Sequence, residues 1–208
     1  MAHGGAQWTY SRHLPFWQAH NCPMLTFCPV DDKIVGPEKI VAWGAKGHHD
    51  SWALDRFKYL LKLLTTYPYD YFMINEYDSM CMCGPLPEFL YDRDALWCNL
   101  FHDSGTQFLG TSFCHPPLFM SKKILCQIVE TGEKYPQHSE HHFWDRWIGL
   151  MCELGKIPIA GYDHWGFAWN TIEPHLIPQA RQAALDGALF FHGVKTEDCL
   201  RAIITAGD

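Results

Sequence analysis

Two carboxylates one residue apart, Glu76 and Asp78, follow the apolar run Tyr71-Phe-Met-Ile74. In an extended backbone, residues i and i+2 point to the same side about 6.5 to 7 Å apart, so both acids face one ligand. Such a pair presents a divalent cation to phosphate oxygens, with one acid on the metal and the other free for a hydroxyl. The same spacing also describes an acidic turn capping a buried strand, so the motif needs support from elsewhere in the chain.

His192-Gly193-Val194-Lys195 offers that support. An imidazole completes a metal site begun by a carboxylate, a lysine neutralises phosphate oxygens, and Gly193 lets the backbone approach closely. Taken alone, a histidine beside a lysine is more often just solvated. Mn²⁺ and Mg²⁺ both prefer oxygen ligands, and one histidine in the set favours Mn²⁺. The formal net charge of −7 argues against a broad nucleic-acid-binding face and makes a cation bridge to any phosphorylated ligand more necessary.

Other candidates are weaker. Arg56 lies one position before the apolar residue Phe57 and is placed to reach phosphates, or else to pair with Asp55. The acids near aromatic residues in the second half, Glu140, Asp145 and Asp163, are candidates for work on an acceptor. Asp145, in His141-His-Phe-Trp-Asp-Arg-Trp147, either points into a cleft or forms an ion pair along its own helix. His115, beside two prolines, either meets a ligand or packs within a loop. Trp144 and Trp147 fit a helix core stripe, whereas Trp165, Phe167 and Trp169 lack helical spacing and suggest a pocket lining.

The elements that must position these groups alternate in an α/β pattern. Strands are expected over Met24–Val30, Ile40–Trp43, Tyr71–Ile74 and Ala188–Phe191. Helices are expected over Ser51–Thr66, with Ala53, Phe57, Leu60, Leu61 and Leu64 on one face, and over Lys122–Thr131, closed by Gly132. Two more span about His141–Leu154 and Pro178–Asp186, and Thr196 caps a last one. Phe108–Met120, with Gly110 and Pro116-Pro117, reads as short strands and loops. The acidic motif then lies at the C-terminal end of a strand that follows a crossover helix, where open α/β sheets bind ligands.

A chain of 208 residues with 48% hydrophobic and 19% charged residues suits one domain with a single core. It contains no run of about 18 apolar residues and no leader pattern, which predicts a soluble cytoplasmic protein. Its nine irregularly spaced cysteines fit a reducing compartment, with Cys98, Cys126, Cys152 and Cys199 as buried thiols. Cys81-Met-Cys83 lacks the spacing of a zinc knuckle.

The Glu76-Tyr77-Asp78 motif resembles the strand-end Asp-x-Asp of the GT-A nucleotide-sugar glycosyltransferases, and His192-Gly193-Val194-Lys195 resembles their late metal and diphosphate motif. With Pro29-Val30-Asp31-Asp32 and the Glu140–Trp147 segment, the whole chain resembles the N-terminal domain of the chlorella virus capsid-glycan glycosyltransferases. The resemblance implies a single Rossmann-like GT-A domain over residues 1–208, its central mixed sheet mostly parallel and flanked by helices. Residues 1–107 would form the nucleotide-binding half, and 108–208 the half that meets the acceptor and completes the metal site. It implies that Asp78 and His192 ligate Mn²⁺ or Mg²⁺, and that Glu76 holds the ribose or joins the metal through water. Lys195 and Gly193 would meet the diphosphate, Arg56 and Tyr77 would lie against the donor, and Pro29 to Asp32 would cradle uracil and ribose.

The implied reaction moves a sugar, glucose or rhamnose, from a UDP-sugar to a glycan or glycoprotein acceptor, in viral capsid glycosylation within the host cytoplasm. Asp145 and Glu140 would act on the acceptor side. The late motif leans to retention of configuration, although the Glu-Asp form of inverting members is only imperfectly matched at Asp145, and further domains of a longer polypeptide fit the same resemblance. A metal-dependent phosphoester hydrolase and a non-catalytic carbohydrate-binding module are the alternatives.

Overall fold

The computed structural model describes residues 26–29, 40–43, 53–66, 68, 70–75, 78–82, 86–102, 112–138, 144–169 and 171–204. Within these the chain is α/β, with mixed sheets flanked by helices. Strands β1 (Thr26–Pro29) and β2 (Ile40–Trp43) pair in parallel. Helix α1 (Ala53–Leu64) follows, burying Ala53, Phe57 and Leu64, with Leu60 and Leu61 packed beside them, as their spacing predicts.

The main sheet runs β3 (Tyr71–Ile74), β6 (Ser112–Ser121), β5 (Leu96–His102), β7 (Ile159–Gly161). Its β3–β6 and β5–β6 pairs are antiparallel and only β5–β7 is parallel, so this sheet is not mostly parallel as expected. The reason is β6, which returns between two strands that both run the other way. Helices α3 (Lys122–Lys134) and α4 (Trp144–Gly155) cover one face, and α1 packs on α3. Trp147, Leu118, Met120, Ile128 and Ile148 lie at the centre of this core. The short helix α2 (Phe89–Asp92) buries Leu90 in a smaller cluster with Cys81, Phe119, Tyr162 and Phe190.

A second, three-stranded sheet runs β4 (Ser79–Cys81), β9 (Phe190–His192), β8 (Gly166–Ala168). Here β4–β9 is antiparallel and β8–β9 parallel. It packs on α5 (Ile177–Leu185) and α6 (Glu197–Ile204) through Met80, Phe191, Ala180 and Ile203. Thr196 caps α6 as expected, its hydroxyl accepting the Cys199 N–H at 3.1 Å. The cluster around Phe119 and Phe190 joins the two sheets, because it draws on strands of both.

Two expectations are corrected by packing. Gly132 does not end α3 but sits inside it, where an added Cβ would meet the Trp147 ring at 2.6 Å and Leu54 at 2.7 Å; the glycine permits a close helix crossing. The segment from Ser112 is one ten-residue strand that runs through Pro116 and Pro117, which a cis peptide joins. Prolines cannot donate to a ladder; here the register shifts between Trp97 and Asn99, and the two proline carbonyls are met by side-chain donors. Asn99 Nδ2 donates to the Pro116 carbonyl at 3.0 Å and the Tyr162 hydroxyl to that of Pro117 at 2.9 Å. Tyr162→Phe leaves a buried carbonyl without its donor, and is expected to lower stability by about 1 kcal/mol. A melt monitored by circular dichroism should read this as a Tm lower by roughly 2–4 °C; an unchanged Tm would remove this bond from the account of the strand.

Among the described residues no helix is long and apolar enough to cross a membrane. Cys98, Cys152 and Cys199 are buried free thiols, as expected, while Cys126 is half-buried.

Candidate functional site

The β4–β9 pairing sets Ser79 opposite His192 and thereby brings Asp78, at the head of β4, against the end of β9. The backbone secures this join, since the Asp78 carbonyl accepts both the Gly193 and Val194 N–H groups at 2.9 Å. Asp78 and His192 are 4% and 5% exposed. His192 Nε2 faces Asp78 Oδ1 at 3.6 Å, and Lys195 Nζ lies 3.8 Å from Oδ2 of the same carboxylate. Residues far apart in the sequence thus meet at one carboxylate.

The histidine tautomer follows from its other nitrogen. His192 Nδ1 is 2.9 Å from the Trp169 carbonyl, which only accepts, so Nδ1 carries the hydrogen. In the neutral ring Nε2 then presents a lone pair to a carboxylate oxygen that accepts no hydrogen bond from the described residues. Two buried acceptors facing each other require something positive between them. A proton on Nε2 answers this as an ion pair, and 3.6 Å also allows two ligand atoms each bound at about 2.1 Å to one divalent ion. The carbonyl behind the ring is the outer partner that ligating histidines ordinarily have. The donor set therefore fits a cation, with one imidazole and one carboxylate. Among the described residues no third histidine, cysteine, aspartate or glutamate joins them in a metal-holding group.

Gly193 has φ of +91° and its backbone lies against Trp169, where an added Cβ would strike the carbonyl oxygen. Its N–H is committed to Asp78. The close approach expected of this glycine is thus made to the protein's own chain, and it holds His192 and Asp78 together.

Asp145 stands in the first turn of α4. Its Oδ1 accepts the Arg146 N–H at 2.8 Å, and its Oδ2 lies 3.4 Å from His115 Nδ1. His115 belongs to β6 rather than to a loop, and its ring is 4.5 Å from that of His192. Asp145, His115, His192, Asp78 and Lys195 form one continuous file of titratable groups. Burial first, then the neighbouring His192 and Arg146, depress the His115 pKa to about 3, so this imidazole is neutral at pH 7. Burial also raises the Asp145 carboxyl above its usual range, against the lowering effect of Arg146.

The sign of the pH effect follows. Unfolded, His115 takes up its proton near pH 6.5; folded, near 3, so as pH falls protons bind the unfolded chain first. Stability held by the neutral ring is complete above about pH 6.5 and drains away towards about pH 3. Asp145, whose folded pKa is raised, offsets part of this on the acid side. Urea titrations are expected to show a loss of about 2 kcal/mol between pH 6.5 and 5 in the wild type, and a smaller loss in His115→Gln; equal losses would place the acid sensitivity elsewhere.

Several candidates fall outside the described residues: Glu76, Tyr77, Glu140, Val30, Asp31 and Asp32, as well as the side chains of Pro29 and Arg56. Pro29 ends β1 and Arg56 lies in α1. Glu76 and Tyr77 fall between β3 and β4, so Asp78 leads into β4 rather than ending β3. Trp165 and Phe167, both half-buried, pack against the apolar clusters, and Trp169 is the exposed member of that loop, at 45%. Pairing of His115 with Asp145 was not foreseen; its signal was an apolar strand, Phe113 to Met120, interrupted by a histidine. No protein-family model matches the chain, and no curated protein is similar enough to it to count as a relative.

Proposed function

We propose that the chain is a metal-dependent, retaining glycosyltransferase of GT-A type that takes a UDP-sugar donor and a glycan acceptor. The observation that carries this is the Asp78–His192 pair with Lys195 beside it: a carboxylate and an imidazole able to cradle a cation, and a half-exposed ammonium against the same carboxylate, at the end of one strand pair. This combination suits a diphosphate better than any other common ligand, because it offers two centres of positive charge in an otherwise acidic protein.

Asp78 and His192 would hold Mn²⁺ or Mg²⁺, which when bound supplies charge neutralisation on the departing diphosphate. Lys195 stands outside the buried pair, with its side chain 38% exposed, where an ammonium meets phosphate oxygens without leaving water fully. Transfer with retention breaks the bond between the anomeric carbon and the phosphate oxygen and forms one to the acceptor oxygen on the same face. The acceptor's proton passes to the leaving phosphate oxygen. Trp169 and Gly193 keep His192 oriented, and His115 with Asp145 backs it from behind.

Calorimetric titration with UDP, with and without Mn²⁺, is the test: binding that requires the metal is expected, and metal-independent or absent binding overturns the proposal. Lys195→Ala should weaken UDP about tenfold, roughly 1.4 kcal/mol, while leaving uridine affinity unchanged. Equal losses for the two ligands would mean that Lys195 does not touch phosphate.

A further inference from the structure

Five large apolar side chains stand exposed among the described residues, and two of them, Tyr71 and Tyr91, touch. Their ring centroids are 5.1 Å apart at 84°. Both lie against the buried Phe119 ring, Tyr71 parallel to it at 5.6 Å and Tyr91 perpendicular to it at 5.3 Å. Contact with Phe119 leaves 39% of Tyr71 and 45% of Tyr91 in water. Tyr71 starts β3 and Tyr91 belongs to α2, so regular backbone sets the corner they form before any ligand arrives.

Strand register puts polar groups beside these rings. Tyr71 is paired with Ser121 across β3 and β6, so the two share a face of the sheet, as do Phe119 and Ser121 two positions apart. The Ser121 hydroxyl donates to Asp94 Oδ1 at 2.7 Å, and Asp94 Oδ2 meets Lys123 Nζ. Lys123 first, then Ser121, hold the Asp94 carboxyl below the usual carboxylate range, so the network carries one full charge of each sign. Lys123 and Asp94 are open to water and keep hydrogen-bonding capacity, since an ammonium has three donors and a carboxylate about four acceptor sites.

Size and charge select what this corner suits. The two rings expose on the order of 200 Å², far short of the ~800 Å² per partner of a standard protein interface. Asp70, next to Tyr71, and Asp92, next to Tyr91, are exposed and disfavour an anion, while Lys123 disfavours a free cation. A neutral pyranose matches, because its flat C–H face stacks on a ring and its hydroxyls both give and take hydrogen bonds. We infer that Tyr71 and Tyr91 form a surface docking point for a neutral glycan, one pyranose stacking on the rings while its hydroxyls meet Ser121, Asp94 and Lys123. This point lies apart from the metal pair, since Ser121 ends β6 six residues beyond His115, roughly 20 Å along the strand. Its role, to hold a long acceptor at a second place, rests on the transferase reading, but binding there needs neither metal nor nucleotide.

Tyr71→Leu and Tyr91→Leu keep apolar contact with Phe119 while removing the flat rings, and Asp94→Asn alters the exposed network with the rings intact. The measurement is saturation-transfer NMR on the metal-free chain with maltotetraose and with methyl glucosides and rhamnosides, alongside a melt and the UDP and Mn²⁺ titration on each variant. At least one of these sugars is expected to give a signal that falls about tenfold in either tyrosine variant and several-fold in Asp94→Asn, with the melt and the UDP titration unchanged. No signal from any sugar, a signal that none of the three variants alters, or a stronger response from tetramethylammonium than from every sugar overturns the docking point. Sugar signals that both tyrosine variants abolish, in a chain whose UDP titration fails, would sink the transferase reading and leave the docking point standing.

Discussion

Asp78→Ala is expected to reduce Mn²⁺-dependent UDP affinity by at least about 100-fold, since loss of an outer partner of a metal ligand alone costs 10–100-fold. The fold should survive, because the bonds that tie β4 to β9 at this point use the Asp78 carbonyl and not its side chain. The carboxylate is nevertheless buried between an imidazole and an ammonium, and its removal leaves Lys195 without its ion-pair partner. Asp78→Asn addresses this by keeping volume and one acceptor oxygen while removing the charge a divalent ion needs. Both variants should melt cooperatively and show the same loss of metal-dependent binding. Native-like UDP affinity in folded Asp78→Asn would exclude this carboxylate as a ligand.

Gly193→Ala carries the second large effect. At φ of +91° an L side chain is strained, and here its Cβ also drives into the Trp169 carbonyl, with Ile172 N only 3.3 Å away. Backbone on two sides cannot swing aside as a long side chain would. A loss of about 3 kcal/mol is expected, or a Tm lower by about 6–12 °C. Gly187 provides the control, since it has φ of +96° with nothing within 4 Å of an added Cβ. Gly187→Ala should cost only the conformational strain, about 1 kcal/mol. Similar losses for the two would mean that the Trp169 contact relaxes freely. If Gly193→Ala folds, the displaced Trp169 carbonyl releases Nδ1 of His192, and metal affinity should fall with it.

The helices were largely legible in the sequence because their signal is local. The stripes of α1 and α4 repeat every three or four residues, and Phe57, Trp144 and Trp147 were placed in the core on that ground and are found there. Strand β6 was not legible, because the rule that excludes proline from sheets assumes a backbone donor at each rung. Asn99 and Tyr162 donate to the two proline carbonyls from far along the chain, and nothing near Pro116 announces them. The short strands β4, β7 and β8 carry three residues each, too few for a period.

Within the site, residue chemistry pointed correctly to Asp78, His192 and Lys195 as neighbours, since carboxylate, imidazole and ammonium together suggest few other ligands. It did not reveal that His115 and Asp145 join them. That meeting depends on where β6 and the first turn of α4 lie side by side, which is a property of the packed sheet and not of any spacing. Nor did the aromatic residues without periodicity announce their partners: Trp165 packs against the cluster that joins the sheets, and Phe167 against the one under α5 and α6.

One consequence of the β4–β9 join concerns synthesis. Asp78 leaves the ribosome more than a hundred residues before β9, and until β9 threads between β4 and β8 the aspartate has neither this histidine nor this lysine beside it. If the proposed cation site holds, a nascent or interrupted chain that stops short of Phe190 would be blind to manganese, even with its larger sheet already formed. Competence for the cation would then arrive as a single event, and metal uptake would report that β9 is in place.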